Sequence, residues 1–413
     1  MLATFIKNNF LCNNKVDKIP FTMKLLVASH TYIVDLNCEK LRQLSQLDPN
    51  IEVTVVVPQR WRPGGVQNKT IEPEAREEGS FRIVPVPNFS ENNQGLLTFK
   101  PAIVRLLQTF RPDIIQVEQG AKSLAYAQLI TLNKLLGLKA KNVFFTWWNL
   151  PYENKFPISL LETYNLNNSH GLISGNQDGV NILREHGYHN KAIVLPQLGV
   201  DPILFAPREQ PELAQEIGLD ANKFTVGFVG RFVPEKGILT LIKALARLKE
   251  NPNWQLLLLG RGDLKATIEQ TARESSISDR LIVVESVPHD CVPSYINLMD
   301  TLVLPSETTY KFKTLTAAGW KEQFGHVIIE AMASQVTVIG SDSGEIPNVI
   351  GDAGLVFPEG DIETLSHCLH QLIQNPDLNQ KLAYKGYQKA IDKYTNKALA
   401  QQQLQFYQNL LAN

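Results

Sequence analysis

The chain has 413 residues, of which 44% are hydrophobic and 20% are charged, and its 40 basic residues nearly balance 41 acidic ones. This length predicts two or three domains, because a single hydrophobic core stops growing well below it. The near-neutral charge argues against a uniformly basic nucleic-acid binder, and the apolar content argues against an acidic disordered chain.

The cysteines are scattered, without a Cys-x-x-Cys pair, at Cys12, Cys38, Cys291 and Cys368. This spacing disfavours a disulfide framework or a zinc site and favours a reducing, cytoplasmic setting. No apolar run reaches the roughly 18–20 residues that a membrane span needs. Residues 1–22 contain too interrupted an apolar stretch for a signal peptide, so we expect a disordered leader or a mis-assigned start outside the fold.

Residues 23–200 alternate short apolar runs with amphipathic stretches. The runs predict strands at Leu25–Ser29, Ile51–Val57, Phe81–Val86, Asp113–Val117, Asn142–Thr146, Gly171–Ser174 and Ala192–Leu195. Helical patterns lie between most of them, for example at Lys100–Phe110, Ser123–Leu136 and Gln177–His186. Continuous apolar strands separated by helices predict a parallel sheet covered on both faces, and so a first α/β domain.

A second domain is predicted at residues 201–390. Residues 196–223 hold four prolines and indicate a linker with one short helix. Strands are then predicted at Phe224–Val229, Gln255–Leu259, Leu281–Glu285, Leu302–Pro305, Val336–Ile339 and Leu355–Phe357. Predicted helices are Leu239–Lys249, Leu264–Ser275, Val292–Met299, His326–Ala333 and Ile362–Ile373. A helical pattern over Leu378–Leu411 breaks near Tyr394, and we expect residues 391–413 to pack back on the first domain.

Charge is divided unevenly between the two halves. Residues 1–200 carry 21 basic and 16 acidic residues, and the remainder carries 19 and 25. The basic first half is compatible with an anionic acceptor or with a membrane-surface contact. An ordinary solvated surface is the simplest interpretation.

The segment GRFVPEKG, residues 230–237, follows a predicted strand and precedes a helix. Ligands of α/β sheets bind at such positions, outside the carboxyl ends of the strands. Gly230 permits a tight turn, while Arg231 and Lys236 add two cations where helix N–H groups already favour an anion. This pattern suits a diphosphate, although a solvated basic helix start has the same composition.

The segment KEQFGHVIIEAMA, residues 321–333, places Glu322 in a loop, Gly325 at a helix start and Glu330 inside the helix. A carboxylate at Glu330 can accept hydrogen bonds from a ribose diol, and Glu322 can reach hydroxyls attached to the diphosphate. The alternative is a capping acid at Glu322 and an exposed Glu330. The apolar neighbours of Glu330 make an idle, exposed glutamate less favourable.

Together with LLLLGRGD (256–263), LPS (304–306) and SDSGEIPNVIGDAGLVFPEGD (341–361), these segments resemble glycosyltransferase family 4 in order and spacing. SGNQDGVNILREHGY (174–188) and QLGVD (197–201) resemble the end of that family's first domain. The resemblance implies the GT-B fold: two facing Rossmann-like domains with a cleft between them and a C-terminal helix that returns to the first domain.

The resemblance also implies roles for individual residues. Arg231 and Lys236 would clamp the donor diphosphate, Glu322 would contact the donor sugar, and these three form the expected catalytic set. The expected donor site is completed by Gly230, Phe324, Gly325, His326, Val327 and Glu330. The donor would be a nucleotide-diphosphate sugar, with no further cofactor.

The first domain departs from the family pattern. Its first loop, SHTYIVDLN (29–37), has no glycine, and FFTWWNLPYEN (144–154) has no histidine where many members carry one. We therefore consider His30, Trp148 and Asn149 for the acceptor side and expect Trp147 to be a core residue. The segment 308–321 is a lid, part of the acceptor site, or a surface insertion.

Metal ligands are not evident. His367 and His370 are three residues apart on a helix without a nearby acid or Cys, and Asp-x-Asp does not occur. This favours a metal-independent diphosphate site.

The resulting prediction is a cytoplasmic, retaining hexosyltransferase of polysaccharide biosynthesis, acting on a glycan, lipid or small-molecule acceptor, with peripheral membrane contact left open. Three alternatives remain. They are a non-catalytic sugar-nucleotide-binding subunit, a GT-B epimerase or phosphorylase, and a dinucleotide oxidoreductase. The last ranks lowest, because neither first strand leads into the Gly-x-Gly-x-x-Gly segment that such an enzyme uses.

Overall fold

The structure is a computed structural model that describes residues 22–63, 69–313 and 318–412. The expected leader, residues 1–22, lies outside this part of the chain apart from its last residue. Two parallel sheets dominate the described residues, and each is covered by helices on both faces.

The first sheet has eight strands in the order β3-β4-β2-β1-β5-β6-β7-β8. They are β1 Met23–Ala28, β2 Ile51–Pro58, β3 Arg76–Glu78, β4 Phe81–Val86, β5 Ile114–Val117, β6 Lys141–Thr146, β7 Gly171–Ser174 and β8 Lys191–Val194. The seven predicted strands are present: two have the predicted boundaries, and the other five are shifted by one or two residues, as is usual at element ends. β3 was not predicted: it is a short, exposed, antiparallel edge strand with no apolar residue.

Helices cover both faces of this sheet: α1 Glu39–Gln46, α2 Ala102–Phe110, α3 Leu124–Leu135, α4 Ile158–Asn167 and α5 Gln177–Glu185. Alternate residues of β1 enter separate cores, with Leu25 and Val27 on one face and Leu26 and Ala28 on the other. This alternation follows from the two-residue repeat of a strand, and it explains why β1 is apolar throughout.

The second sheet has six parallel strands in the order β11-β10-β9-β12-β15-β16. They are β9 Phe224–Val229, β10 Trp254–Leu259, β11 Leu281–Val284, β12 Thr301–Leu304, β15 Thr337–Ser341 and β16 Leu355–Phe357. A separate hairpin is formed by β13 Thr309–Lys313 and β14 Ala318–Trp320. The remaining helices are α6 Pro211–Glu216, α7 Ile238–Ala246, α8 Lys265–Glu274, α9 Val292–Ile296, α10 His326–Ala333, α11 Ile346–Ile350, α12 Ile362–Gln374, α13 Pro376–Lys389 and α14 Asn396–Leu411.

The last helix, α14, packs on the first domain. Phe406, Tyr407 and Leu410 belong to the same core as β1 and β2. The Tyr407 hydroxyl donates to Gln116 Oε1 of β5 at 2.5 Å. A Cβ on Gly171 would lie 2.8 Å from Leu410 Cδ1, so glycine lets the helix approach β7 without a shift of that side chain.

The chain crosses between the domains at two adjacent segments. Val200 N donates to Tyr394 O at 2.9 Å, and Asn396 N donates to Val200 O at 3.3 Å. Within the described ranges, every helix is too short or too polar to span a membrane.

Candidate functional site

The candidate site lies at the carboxyl ends of the second sheet. The chain runs outward from β9 through β10 to β11 and then returns to β12 on the other side of β9. The loops after β9 and β12 therefore diverge at a topological switch point, where ligands of open α/β sheets bind. The GRFVPEKG segment follows β9, and the loop that contains Glu322 follows β12 and its hairpin.

Lys236 and Glu322 form an ion pair at this point. Lys236 Nζ lies 2.5 Å from Glu322 Oε2, and Ser306 Oγ donates to the same oxygen at 2.7 Å. The Lys236 ammonium also lies 4.9 Å from the centre of the Trp320 ring. The Lys236 and Glu322 side chains are only 16% and 10% exposed, so this pair is partly withdrawn from water and its geometry is fixed by packing.

Two glycines allow the backbones of this cluster to approach. Gly237 has φ of 65°, and a Cβ there would lie 1.7 Å from Pro305 O. Gly344 has φ of 56°, and its Cβ would lie 1.7 Å from Glu322 O. Both positions need a residue that tolerates left-handed backbone and has no side chain.

Asn149 of the first domain fixes the Glu322 loop from the opposite side. Its Nδ2 donates to Glu322 O at 2.9 Å, and the residue is 5% exposed. The structure thus places Asn149 against the loop that contains Glu322. Asn149 is a candidate for the acceptor side, and its observed contact fixes the position of the Glu322 backbone.

The helix α10 presents its N-terminus beside this loop. Gly325 precedes the helix with φ of 78° and ψ of 56° and has no side-chain cap. N–H groups of the first turn, at His326 and Val327, lack partners within the helix, which suits an anion. Glu330 lies one turn further on with a 14% exposed side chain, and its Oε1 is 3.5 Å from His326 Nδ1.

The remaining donor-side predictions fall in different surroundings. Arg231 is exposed and pairs with Glu235 at 3.6 Å, on the loop that begins at Gly230. A 3₁₀ turn at Pro234–Lys236 separates this loop from α7, so the two cations do not share one helical turn. Phe324 is 5% exposed and packs against Trp147 and Tyr394, which makes it a contact between the domains.

Further contacts close one side of the cleft. Gln177 N, at the start of α5, donates to Glu345 Oε2 at 2.8 Å, and Lys321 Nζ lies 2.8 Å from Asp178 Oδ2. Burial raises the pKa of Glu345. Sequence reasoning missed Glu345 as a domain contact, because an acid in a short loop has no periodicity to mark it.

A cavity of about 970 Å³ lies on the first-domain side of the cleft, with Gln323 of the second domain in its wall. His30 and Trp148, two of the residues considered for the acceptor, line it. The His30 ring packs against Trp61 in a tilted arrangement, with ring centres 4.9 Å apart, and burial lowers the pKa of His30 to about 4. Trp147 is half-buried: it packs against the cores of both domains and donates to Gln197 Oε1 at 3.0 Å, but it also lines this cavity, so it is only partly the core residue that we expect.

Glu118 lies in the same wall and was not predicted. Its carboxylate accepts from Tyr32 Oη at 2.6 Å, Gln116 Nε2 at 2.6 Å and Gln197 Nε2 at 2.5 Å. The signal was present in the sequence, since Glu118 directly follows β5. Polar residues at the carboxyl end of a buried strand lie at the edge where sites form.

Comparison with known proteins agrees with this architecture. Residues 209–389 match the family described as Glycosyl transferases group 1, so the match covers the second domain. N-acetyl-alpha-D-glucosaminyl L-malate synthase of Bacillus anthracis is 25% identical over 224 residues, which are 54% of this chain and 55% of that protein. The chain thus spans about half the length of the curated relatives it matches.

Two solved structures are similar over nearly the whole chain. Sucrose-phosphate synthase from Thermosynechococcus elongatus has a TM-score of 0.64 at 20% identity, covering 94% of this chain and 99% of that one. Anabaena Alr3699/HepE, solved in complex with UDP, has a TM-score of 0.66 at 16% identity, covering 94% and 100%. The chain therefore has the GT-B fold.

Proposed function

We propose that this chain is a retaining glycosyltransferase of family 4 that transfers a hexosyl unit from a nucleotide-diphosphate sugar to an acceptor, without a metal ion. The observation that carries the proposal is the Lys236–Glu322–Ser306 cluster at the topological switch point, beside the uncapped start of α10. The cluster lies within the segment that matches the glycosyl transferases group 1 family.

The chemistry requires that negative charge be stabilised as the nucleotide diphosphate leaves. A positioned ammonium and helix N–H groups provide this stabilisation without reorganising when the bond breaks. Lys236 is held by its contacts with Glu322 and Trp320, so it is oriented before the donor arrives. Arg231, which is exposed, adds a second cation at the mouth of the cleft.

Glu322 has a second task in this proposal. A diphosphate that takes Lys236 releases one carboxylate oxygen of Glu322 to accept from a hydroxyl of the donor sugar. Glu330, inside α10, accepts from the ribose. Asn149 and Gly344 hold the Glu322 backbone in place, so the carboxylate reaches the sugar from a fixed loop.

A thermal-shift screen against UDP-, GDP- and ADP-sugars tests the donor site, because a ligand that binds the folded state raises its melting temperature. The UDP complex of Anabaena Alr3699/HepE makes the UDP-sugars the first arm. We expect one nucleotide series to shift the transition and the other two to leave it unchanged. No shift in any series contradicts the proposal.

Hydrolysis and product analysis of the best donor then separate the alternatives. Slow release of sugar with the same anomeric configuration supports a retaining transferase. Conversion of the donor into a different sugar nucleotide supports an epimerase, phosphorolysis by inorganic phosphate supports a phosphorylase, and binding without any turnover supports a non-catalytic subunit.

A further inference from the structure

The wall of the first-domain cavity is mainly apolar and aromatic. Leu96, Leu161, Ile182, Phe145, Trp148 and Tyr152 contribute to it. A polar group in such a wall is costly unless it is paired, since its water is removed without replacement. The polar groups that do lie there without partners therefore indicate what the cavity accommodates.

Lys122 is the first of these groups. Its ammonium lies 3.6 Å from the centre of the Tyr152 ring and 5.5 Å from that of Trp148. The described residues provide it with no hydrogen bond and no ion pair within 4.0 Å. Burial lowers the pKa of Lys122 to about 8, against an opposing effect of Glu162.

Glu162 is the acid whose charge acts on the pKa of Lys122, but its carboxylate oxygens already have hydrogen-bond partners. Tyr152 Oη donates to Oε1 at 2.5 Å, Asn154 Nδ2 donates to Oε2 at 2.8 Å, and His186 Nδ1 lies 3.0 Å from Oε2. These contacts hold Tyr152 beneath the ammonium. The arrangement therefore fixes Lys122 on an aromatic base and leaves its charge directed to the cavity.

Two further polar atoms in the same wall are buried and have no hydrogen-bond partner: His30 Nδ1 and Gln119 Nε2. Gln119 uses its oxygen to accept from Ser123 Oγ at 2.8 Å, so its amide nitrogen is the end that lacks a partner. Buried polar atoms without a partner are rare in folded proteins, but both of these are covered by surrounding atoms. A ligand in the cavity could reach them only after these side chains shift, so Lys122 is the group that faces a ligand directly.

We propose that this cavity holds the acceptor and that the acceptor carries a carboxylate or phosphate group, which pairs with Lys122. Trp148, beside Lys122 in the same wall, stacks on the body of the acceptor. This inference deepens the proposed function and depends on it, because it names the acceptor class of the same cleft. Gln323, next to Glu322 in the chain, lies in the wall of the cavity and so links it to the donor loop.

The test compares three probes that share the glucopyranose ring: neutral methyl glucoside, methyl glucuronide with a carboxylate, and glucose 1-phosphate with a phosphate. Each probe is titrated calorimetrically into the full chain. The protein is first saturated with the nucleoside diphosphate of the donor that the thermal-shift screen identifies, so that the donor site is filled. We expect the two charged probes to bind at millimolar concentration or below and the neutral glucoside to bind about tenfold or more weakly, as the loss of one charge-assisted hydrogen bond predicts. The carboxylate and phosphate arms show which anion fits.

Lys122→Met keeps the length of the side chain and removes its charge, so it should abolish the preference for the charged probes. Lys122→Arg should retain most of it. Lys134→Met is the matched control, because Lys134 also lies over an aromatic ring, that of Tyr164, but on the exposed end of α3 outside the cavity. We expect the control to behave as the wild type.

Equal binding of neutral and charged probes, binding of none of them at millimolar concentration, or an unchanged preference in Lys122→Met would each overturn the proposal. These outcomes differ from failure of the proposed function. If donors bind and are hydrolysed but no charged probe depends on Lys122, the acceptor inference fails by itself. If no sugar nucleotide binds, the glycosyltransferase proposal fails first.

Discussion

The second-domain side of the cleft has its charges paired, and the first-domain side does not. Lys236 contacts Glu322, and Ser306 donates to the same carboxylate. Across the cleft, Lys122 and His30 Nδ1 have no polar partner among the described residues. On one side of the cleft the charged groups thus bind one another, and on the other side the Lys122 ammonium has no polar partner in the described part of the chain.

The difference has a physical reason. A cluster whose members satisfy one another keeps its geometry without help, so it suits a ligand part that is always the same, such as a diphosphate. Unpartnered polar groups cost free energy in the folded protein, and a bound partner recovers it. They therefore contribute selectivity, since a ligand that lacks the matching group leaves them unsatisfied.

Replacing Lys236 tests the paired side and should have the largest effect. Lys236→Ala should lower kcat/KM for the donor about 100- to 1000-fold, the usual cost of one group that stabilises developing charge. Steady-state kinetics measures this, with Lys243→Ala on the exposed face of α7 as the control. The change also leaves Glu322 buried without its partner, so stability must be measured beside activity.

The double variant Lys236→Met, Glu322→Gln separates these two consequences. It removes both charges, so its free energy of unfolding should lie closer to the wild type than that of Lys236→Ala, while activity stays low. An active double variant would contradict the assignment of the cluster.

The close backbone approach at Gly237 should give the next largest effect. Gly237→Ala should lower the free energy of unfolding by about 3 kcal/mol, because left-handed backbone costs about 1 kcal/mol and overpacking against Pro305 adds the rest. Urea unfolding measures the change. Gly79→Ala is the control, with φ of 61° and no atom within 4 Å of the added carbon. Equal losses in the two variants would show that the approach to Pro305 is unimportant.

His30 tests the unpartnered side through pH. Burial lowers its pKa from the ordinary value of 6.5 to about 4, so the unfolded chain takes up this proton at higher pH than the folded chain does. Stability should therefore fall as the pH drops from 6.5 towards 4, by about 2 kcal/mol between pH 7 and pH 5 for this group. The slope should decrease in His30→Gln and persist in His189→Gln, whose histidine is exposed. An unchanged slope in His30→Gln would place the effect elsewhere.

Glu330 should give the smallest effect. Glu330→Gln keeps the shape of the side chain but weakens its hydrogen bonds to a ribose, so affinity for the nucleotide diphosphate should fall about tenfold. Calorimetry measures the affinity, and Glu363→Gln on the exposed start of α12 serves as the control. Unchanged affinity in Glu330→Gln would remove this residue from the donor site.

Sequence reasoning succeeded where a pattern is local. The apolar strands and their alternation with helices are visible from spacing, since strand burial and helix starts depend on near neighbours. The expectation of the GT-B fold comes from the family resemblance, and the roles of Lys236 and Glu322 stay predictions. Sequence reasoning missed β3, which has no apolar residue, and the five-residue helix α11. It also gave Asn149 and Phe324 no role between the domains, because such contacts join residues more than 170 positions apart.

The acceptor side was less visible for the same reason. Nothing in the sequence around Lys122 marks it, since its aromatic base comes from Trp148 and Tyr152 on another loop. The unpartnered state of Gln119 depends on which end of its amide meets Ser123. Such features depend on contacts between distant segments, so no motif or residue spacing in the sequence indicates them.

The paired crossings at Val200 and Tyr394–Asn396 make the first domain discontinuous in sequence. Its core closes only when α14 returns, so a fragment that stops before residue 396 lacks Phe406, Tyr407 and Leu410 and exposes the apolar face beneath them. The two connections are adjacent and hydrogen-bonded to each other, so the chain passes between the domains at a single place. The second domain can be excised as one continuous segment, whereas the first requires residues 23–195 to be joined to α14.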